Sequence, residues 1–211
     1  MIPGHSSFKT EIKKLKFETN AGLRFPATAL IHFQVEGREK PLVELMGYLG
    51  EKEIYKAIDR GEELNLDNCY IEKFSLRDYR LTRNLEEKEV VILKGFTARN
   101  SLFGGDANLD FSNAIFEGIE FSLEGAWINR GDVIFESAHF KTEHLTFHNT
   151  HFPEGYFNFK NVHIDAAEVS FKNCCFGDGT KGSISTDLSL VRERWCSMSV
   201  RWVPANSALS V

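Results

Sequence analysis

Five of the seven histidines of this chain fall between positions 139 and 163. Imidazole binds metal ions and changes its charge near neutral pH, so this stretch is the first place to look for chemistry. His139, His151 and His163 are each twelve residues apart, and the order of residues predicts that they share one outward column. Two stacked histidines are too few for a zinc site, which needs four protein ligands, or three protein ligands and a water. We therefore predict no metal, and a solvated ladder or a pH-sensitive face remain as alternatives.

Acidic residues are dense in the same region. Eight acids lie between Asp106 and Glu143, against only Arg130 and Lys141. One interpretation is a solubilising face, and the other is a mimic of nucleic-acid backbone charge. The acids and histidines together form a candidate interaction face of Asp110, Glu117, Glu120, Glu124, Asp132, Glu136, His139, His151 and His163.

The four cysteines include a vicinal pair, Cys174 and Cys175, and none has C-x-x-C spacing. This is a poor disulfide framework, and the opening MIPGHSSFKTEIKK carries charges where a secretory signal would be apolar. We predict a reduced, cytoplasmic protein. Cys174 falls in a column of small inward residues, whereas Cys175 should be exposed. The chain contains no G-x-S-x-G or H-E-x-x-H motif, so we predict no catalytic residue, no cofactor and no enzyme activity.

A twelve-residue repeat positions these side chains. Four apolar columns persist over six copies, which is typical of a stacked solenoid. One column is Phe111, Leu123, Phe135, Phe147, Phe159 and Phe171, and five residues after each stand Phe116, Ile128, Phe140, Phe152, Ile164 and Phe176. The predicted core ladder comprises Phe111, Phe116, Phe135, Phe140, Phe147, Phe152, Phe159, Phe171 and Phe176.

A shorter repeat precedes this one. Apolar pairs advance in steps of five through Leu64 and Leu66, Cys69 and Ile71, Phe74 and Leu76, and Tyr79 and Leu81. Three alternating residues followed by a corner are typical of a short strand that turns an edge. The units ELNLD, NCYIE, KFSLR and DYRL, with DANLD and SNAIF later, resemble the pentapeptide-repeat family. The resemblance covers residues 63–180 and implies a right-handed quadrilateral β-helix.

The period departs from the family pattern, because strict pentapeptides would repeat every ten residues rather than twelve. Successive large residues are spaced by five and then by seven, as in Phe135, Phe140 and Phe147. We propose that two copies, or 24 residues, make one coil with two bulged corners. His139 would then stack on His163, and His151 on Cys175, with about 4.8 Å between neighbouring strands.

Three regions follow from these patterns. Residues 1–62 are expected to form a small α+β cap, with IHFQVEG as a strand, residues 41–61 as a helix and Gly61 as its C-terminal cap. Residues 63–180 form the β-solenoid, so the fold class is mainly β. Residues 181–211 are a C-terminal cap or tail. Here Leu188, Val191, Trp195, Met198 and Trp202 have helical spacing, which suits an end cap, a dimerisation helix for a homodimer, or a poorly ordered tail.

Charge limits the partner. The chain has a net charge of −5, and twelve acids against four bases lie between Asp106 and Thr180. We expect no direct nucleic-acid binding, which needs a basic footprint, and no membrane span, which needs about 20 apolar residues. The predicted function is a non-enzymatic scaffold or protein-binding module whose partner is another protein. The alternative, implied by the family resemblance, is inhibition of a type II topoisomerase by acidic DNA mimicry.

Overall fold

The structure is a computed structural model. It describes residues 7–35, 37–105, 107–152 and 155–176, and the backbone of three strands at 181–183, 189–190 and 201–202. Before the repeat lie β1 (Ser7–Lys13), β2 (Phe17–Glu18), β3 (Arg24–Phe25), β4 (Ala27–Gln34), β5 (Leu42–Tyr48), α1 (Glu51–Asp59), β6 (Leu64–Asn65), β7 (Cys69–Ile71) and α2 (Leu76–Arg83). The repeat contains β8 (Val91–Thr97), β9 (Leu102–Phe103), β10 (Leu109–Asp110), β11 (Ala114–Ser122), β12 (Trp127–Ile128), β13 (Val133–Ile134), β14 (His139–Thr146), β15 (His151–Phe152), β16 (Tyr156–Asn158), β17 (His163–Ile164), β18 (Glu168–Ser170), β19 (Cys175–Phe176), β20 (Lys181–Ser183), β21 (Ser189–Leu190) and β22 (Arg201–Trp202).

The chain is mainly β, with parallel multi-strand sheets. A nine-stranded sheet has the order β1-β4-β5-β7-β9-β12-β15-β19-β22. A seven-stranded sheet has the order β21-β17-β14-β11-β8-β6, with β18 also paired to β14, and a four-stranded sheet has the order β10-β13-β16-β20. Pairing is parallel throughout the repeat and antiparallel only among β1, β4 and β5 and between β2 and β3.

From β10 to β19 the strand register has a period of 24 residues, whereas β9 pairs with β12 at an offset of 25 and β8 pairs with β11 at offsets of 23 and 25. Leu109 pairs with Val133 in the four-stranded sheet, and Ile115 pairs with His139 in the seven-stranded sheet. His139 in turn pairs with His163, and His151 pairs with Cys175 in the nine-stranded sheet. The two predicted vertical pairs are therefore confirmed, and each side chain lies beside the one 24 positions later.

Phenylalanine rings fill the space that the three sheets share. Phe111 stacks on Phe135 with ring centroids 4.9 Å apart, and Phe116 stacks on Phe140 at 4.8 Å. These separations match the spacing of neighbouring strands, which is about 4.7–4.9 Å, so register sets the ring stacking directly. Every residue of the predicted core ladder is buried except Phe171, which is half-buried and packs against the same cluster.

Helix α1 covers one end of this core with Ile54, Tyr55, Ala57 and Ile58. The prediction of helix over 41–61 is correct only in its second half, because Leu42–Tyr48 is strand β5. Antiparallel pairing with β4 along the whole of β5 outweighs the helical spacing of its leucines. The helix ends as predicted, since Gly61 adopts a φ of 61° and donates its N–H to the Ile58 carbonyl.

Helix α2 corrects the five-step interpretation. The first two units of the five-residue repeat lie in β6 and β7, but the residues from Leu76 onward form a helix instead of strands. Ser75 caps this helix by accepting a hydrogen bond from the Asp78 N–H at 3.1 Å. Across this part of the stack Tyr70 pairs with Leu102, 32 residues later. The excess over 24 equals the eight residues of α2, so the helix is an insertion into one period.

The N-terminal strands confirm that most of the IHFQVEG segment is a strand. β4 contains most of this segment and pairs with β1 on one side and with β5 on the other. At the C-terminal side, only Trp202 of the predicted helical stripe lies in the described part of the chain. It belongs to strand β22, so the helix prediction is wrong there, and Leu188, Val191, Trp195 and Met198 lie outside the described residues.

Turn residues with positive φ recur every twelve positions, a column that the apolar pattern does not reveal. Its members in the six copies are Asn113, Gly125, Ser137, Asn149, Asn161 and Asn173, with φ from 50° to 65°. Each is the third residue of a tight turn, in which, for example, the Thr150 N–H donates to the Phe147 carbonyl at 3.1 Å. Glycine and asparagine tolerate this conformation best.

We predict that Phe121→Ala lowers the free energy of unfolding by about 3–5 kcal/mol, because the ring is fully buried and loses its packing outright. Urea denaturation followed by circular dichroism measures the change. Phe171→Ala is the matched control and should cost less, since Phe171 is only half-buried. Equal losses for the two variants would contradict this account of the core.

Asn149→Ala should destabilise the protein by about 1–2 kcal/mol, because alanine is disfavoured at a φ of 55°. Asn149→Gly should be close to neutral at the same position. Thermal unfolding of the two variants beside the unmodified chain makes the comparison. If alanine and glycine behave alike, the turn does not depend on its left-handed residue.

Candidate binding groove

A column of outward side chains runs along the nine-stranded sheet. Register places Tyr70, Leu102, Trp127, His151 and Cys175 one above another. They point outward because they alternate with core residues such as Ile128 and Phe152. Tyr70 and Leu102 are nonetheless buried, Trp127 and His151 are half-buried, and Cys175 is exposed.

Burial decreases along the column because the N-terminal strands pack over its first half. Ala29, Ile31, Phe33 and Met46 form a second apolar cluster with Tyr70 and Leu102, separate from the main core. Trp127 packs against the margin of this cluster. The cover ends there, so the rest of the column opens into a groove.

The groove has a volume of about 1570 Å³ including open solvent. Its lining comprises three residues of β5, three of the outward column, and the turn residues that precede the strands: Glu44, Leu45, Met46, Asn68, Asn100, Gly125, Ala126, Trp127, Asn149, His151, Asn173 and Cys175. Trp127 and His151 stack with centroids 3.8 Å apart and an interplanar angle of 17°. The groove therefore combines an aromatic floor, a wall of carboxamides and an edge of strand β5.

Regular spacing gives the groove its length. Asn68, Asn100, Gly125, Asn149 and Asn173 occupy the same turn position before five successive strands of the nine-stranded sheet. At about 4.8 Å per strand, four steps give a length of about 19 Å, which is the reach of about six extended residues. Gly125 is the exception among the asparagines, and a Cβ there would meet the Asn100 carboxamide.

The predicted acidic face does not occupy one surface. Glu117 and Glu120 lie on the seven-stranded sheet, Asp132 precedes a strand of the four-stranded sheet, and Glu124 and Glu136 lie in turns. Bases lie close to most of them. Glu117 is 3.8 Å from Lys141, Glu124 is 3.9 Å from His148, Glu136 is 3.9 Å from Lys160, and Glu120 pairs with Arg99.

Asp110 corrects the prediction of a surface role. It is only 5% exposed, and its carboxylate accepts hydrogen bonds from the N–H groups of Ser112 and Arg77 at 2.7 Å and 3.3 Å. Arg80 is buried nearby and donates to the carbonyls of Glu89 and Ser112. Burial lowers the pKa of Arg80, and the charge of Asp110 opposes that shift. Asp110 and Arg80 thus join helix α2 to the first repeat.

The two stacks predicted for the histidines lie on different sheets. His151 lies in the groove on Trp127, whereas His139 and His163 lie on the seven-stranded sheet with ring centroids 5.5 Å apart. Burial first, and then the nearby charges of Lys141 and His163, lower the pKa of His139. Within the described ranges no group of three or more His, Cys, Asp or Glu side chains could hold a metal ion.

The described cysteines differ in reactivity. Burial raises the pKa of Cys69 and of Cys174 to about 12, so both remain thiols. Cys174 also donates its S–H to the Phe147 carbonyl with 2.8 Å between the heavy atoms. Cys175 is exposed at the end of the groove, as predicted.

Sequence reasoning found His151 and Cys175 but missed the rest of the groove. The turn asparagines have a signal, because an F-x-N or equivalent triplet recurs every twelve residues. No sequence signal marks Glu44, Leu45 and Met46 as groove residues, because their position depends on a strand that folds over a distant part of the chain.

Comparison of the chain with protein-family models, curated proteins and solved structures gives no match. Among the described residues, no helix is both long and apolar enough to cross a membrane.

We predict that His139 makes stability fall with acidification. Its pKa is lower in the folded protein than the ordinary value of 6.5, so the unfolded chain binds the proton more readily. The stability penalty therefore begins as the pH falls through about 6.5 and stops growing below the folded pKa. His139→Gln should lose less stability than the unmodified chain between pH 7.5 and pH 5.5, as measured by urea midpoints. A variant with an unchanged pH dependence would contradict this role for His139.

Proposed function

We propose that the chain is a non-enzymatic protein-binding module that uses the groove between β5 and the outward column. The groove is the single observation that carries the proposal. It is about 19 Å long by strand spacing, it has aromatic and apolar surface, and it is lined by side chains able to donate and accept hydrogen bonds. Such a surface suits a protein segment better than a compact small molecule.

The scaffold that we propose is a β-solenoid of pentapeptide-repeat type with a 24-residue coil. The common 24-residue register of all three sheets supports it. Four strand segments in one period support a four-sided coil, because Leu109, Ile115, Phe121, Trp127 and Val133 are each six residues apart and all lie in strands. Right-handedness follows from the family resemblance.

We also propose that the protein works in the cytoplasm. Cys69, Cys174 and Cys175 are unpaired thiols in the described part of the chain, and a reducing compartment keeps thiols in that state.

Acidic DNA mimicry receives less support from the geometry. A mimic needs a continuous acidic stripe on one face, because duplex DNA carries a charge about every 1.7 Å. Among the described acids of the candidate face, members lie on different surfaces and alternate with Lys141, His148 and Lys160. We therefore prefer the binding module.

Site-specific photo-crosslinking tests the proposed function. A benzophenone amino acid replaces Leu45, which lines the groove and is 60% exposed, and the labelled protein is irradiated in cells of its source. The matched control carries the same group at Ile119, which is 69% exposed and lies on the seven-stranded sheet. We expect a discrete protein adduct from position 45 only, identified by mass spectrometry. No adduct, or the same adducts from both positions, would reject the groove as the binding surface.

A further inference from the structure

The edge of strand β5 that faces the groove is incompletely paired. β5 pairs with β4 along its whole length, from Leu42 to Tyr48. On its other side it pairs with β7 only at Gly47 and Tyr48. Within the described ranges, no strand pairs with the segment Leu42–Met46 on that side.

Hydrogen-bond alternation shows which main-chain groups this edge presents. The Gly47 N–H donates to the Asn68 carbonyl at 2.9 Å, away from β4. Because successive residues of a strand direct their main-chain groups to opposite sides, Leu45 and Val43 direct theirs the same way as Gly47. Leu45 also lines the groove, although its side chain lies on the opposite face of β5 from those of Glu44 and Met46. The groove therefore contains main-chain N–H and C=O groups in strand geometry.

Charge in the groove is limited to one carboxylate. Glu44 is the only acid or permanent base among the lining residues, and it forms no ion pair with any described residue. Trp127 lines the same groove, but its indole face stacks on the His151 imidazole, so Glu44 is the group that would attract a cation. A cationic side chain in the groove would thus gain an ion pair with Glu44.

We propose that the groove binds an extended peptide segment of a partner protein by strand addition to β5, with a Lys or Arg directed at Glu44. This inference rests on the proposed function and specifies its mode. An extended backbone is the complement of an open strand edge, and alternate side chains then supply specificity. The open edge runs from Leu42 to Met46, so about five residues of the segment can pair with it. Apolar side chains of the segment pack on the half-buried Trp127.

A random heptapeptide display library is the probe, panned against the whole chain. We expect enriched peptides to be rich in β-branched or aromatic residues, to contain Lys or Arg, and to lack Pro at their centre. Panning against Glu44→Lys should replace the basic residue by Asp or Glu. Failure to enrich any peptide, or enrichment of proline-rich ones, would overturn strand addition.

Main-chain methylation gives the decisive control. Two versions of the best synthetic peptide carry N-methyl groups on alternate amides, in one register or the other. Only the register whose N–H groups face β5 should bind more weakly, by about tenfold for each hydrogen bond lost. Hydrogen exchange should slow at the amides of Val43 and Leu45 upon binding. Equal effects of the two registers would exclude strand addition.

The outcomes separate this inference from the proposed function. A discrete crosslink at position 45 without any bound heptapeptide rejects strand addition by a linear segment and retains the binding module. If a peptide binds but slows hydrogen exchange outside β5, and position 45 gives no crosslink, then both proposals are rejected for the groove: strand addition and the protein-binding module.

Discussion

Parallel pairing at a fixed offset of 24 residues is the constraint on which this structure depends. Once Ile115 pairs with His139 and Trp127 with His151, the other side chains between β10 and β19 have their vertical neighbours assigned. The Phe rings then stack at 4.6–4.9 Å in four pairs, since the strands beneath them are that far apart. The same offset brings Glu117 to Lys141 and Glu136 to Lys160. Core packing and surface charge pairing are two results of one register.

The repeat was predictable because its signal is local and redundant. Six copies of the Phe columns define inward positions, and two copies of the five-plus-seven repeat give the 24-residue offset that pairs His139 with His163. Features that occur once were predicted less well. Helix α2, capped by Ser75, forms once in the chain, where a repeating pattern suggested strands. Asp110 resembles its acidic neighbours in sequence, but the nearby helix buries it.

The groove was beyond the reach of sequence reasoning for a physical reason. Its floor follows from periodicity, and His151 was found in this way. Its other side follows from long-range packing of Ala29, Ile31 and Phe33 on Tyr70 and Leu102. Those residues alternate as in any half-buried strand, and nothing in their order specifies which surface they cover. The chain thus uses an irregular segment to make one part of a repetitive surface different from the rest.

Helix α2 has a consequence for how such a chain can change in length. Eight residues enter one period, yet the strands on either side of the insertion still pair, Tyr70 with Leu102 and Ile71 with Phe103. The inserted residues leave the sheet plane and cover the end of the core, where Leu76 and Tyr79 are buried. The position after β7 therefore tolerates a change in loop length that would shift the register if it fell inside a strand. Evolution could add a new structural element at such a corner, or a designer could graft one, while the stacked columns remain aligned.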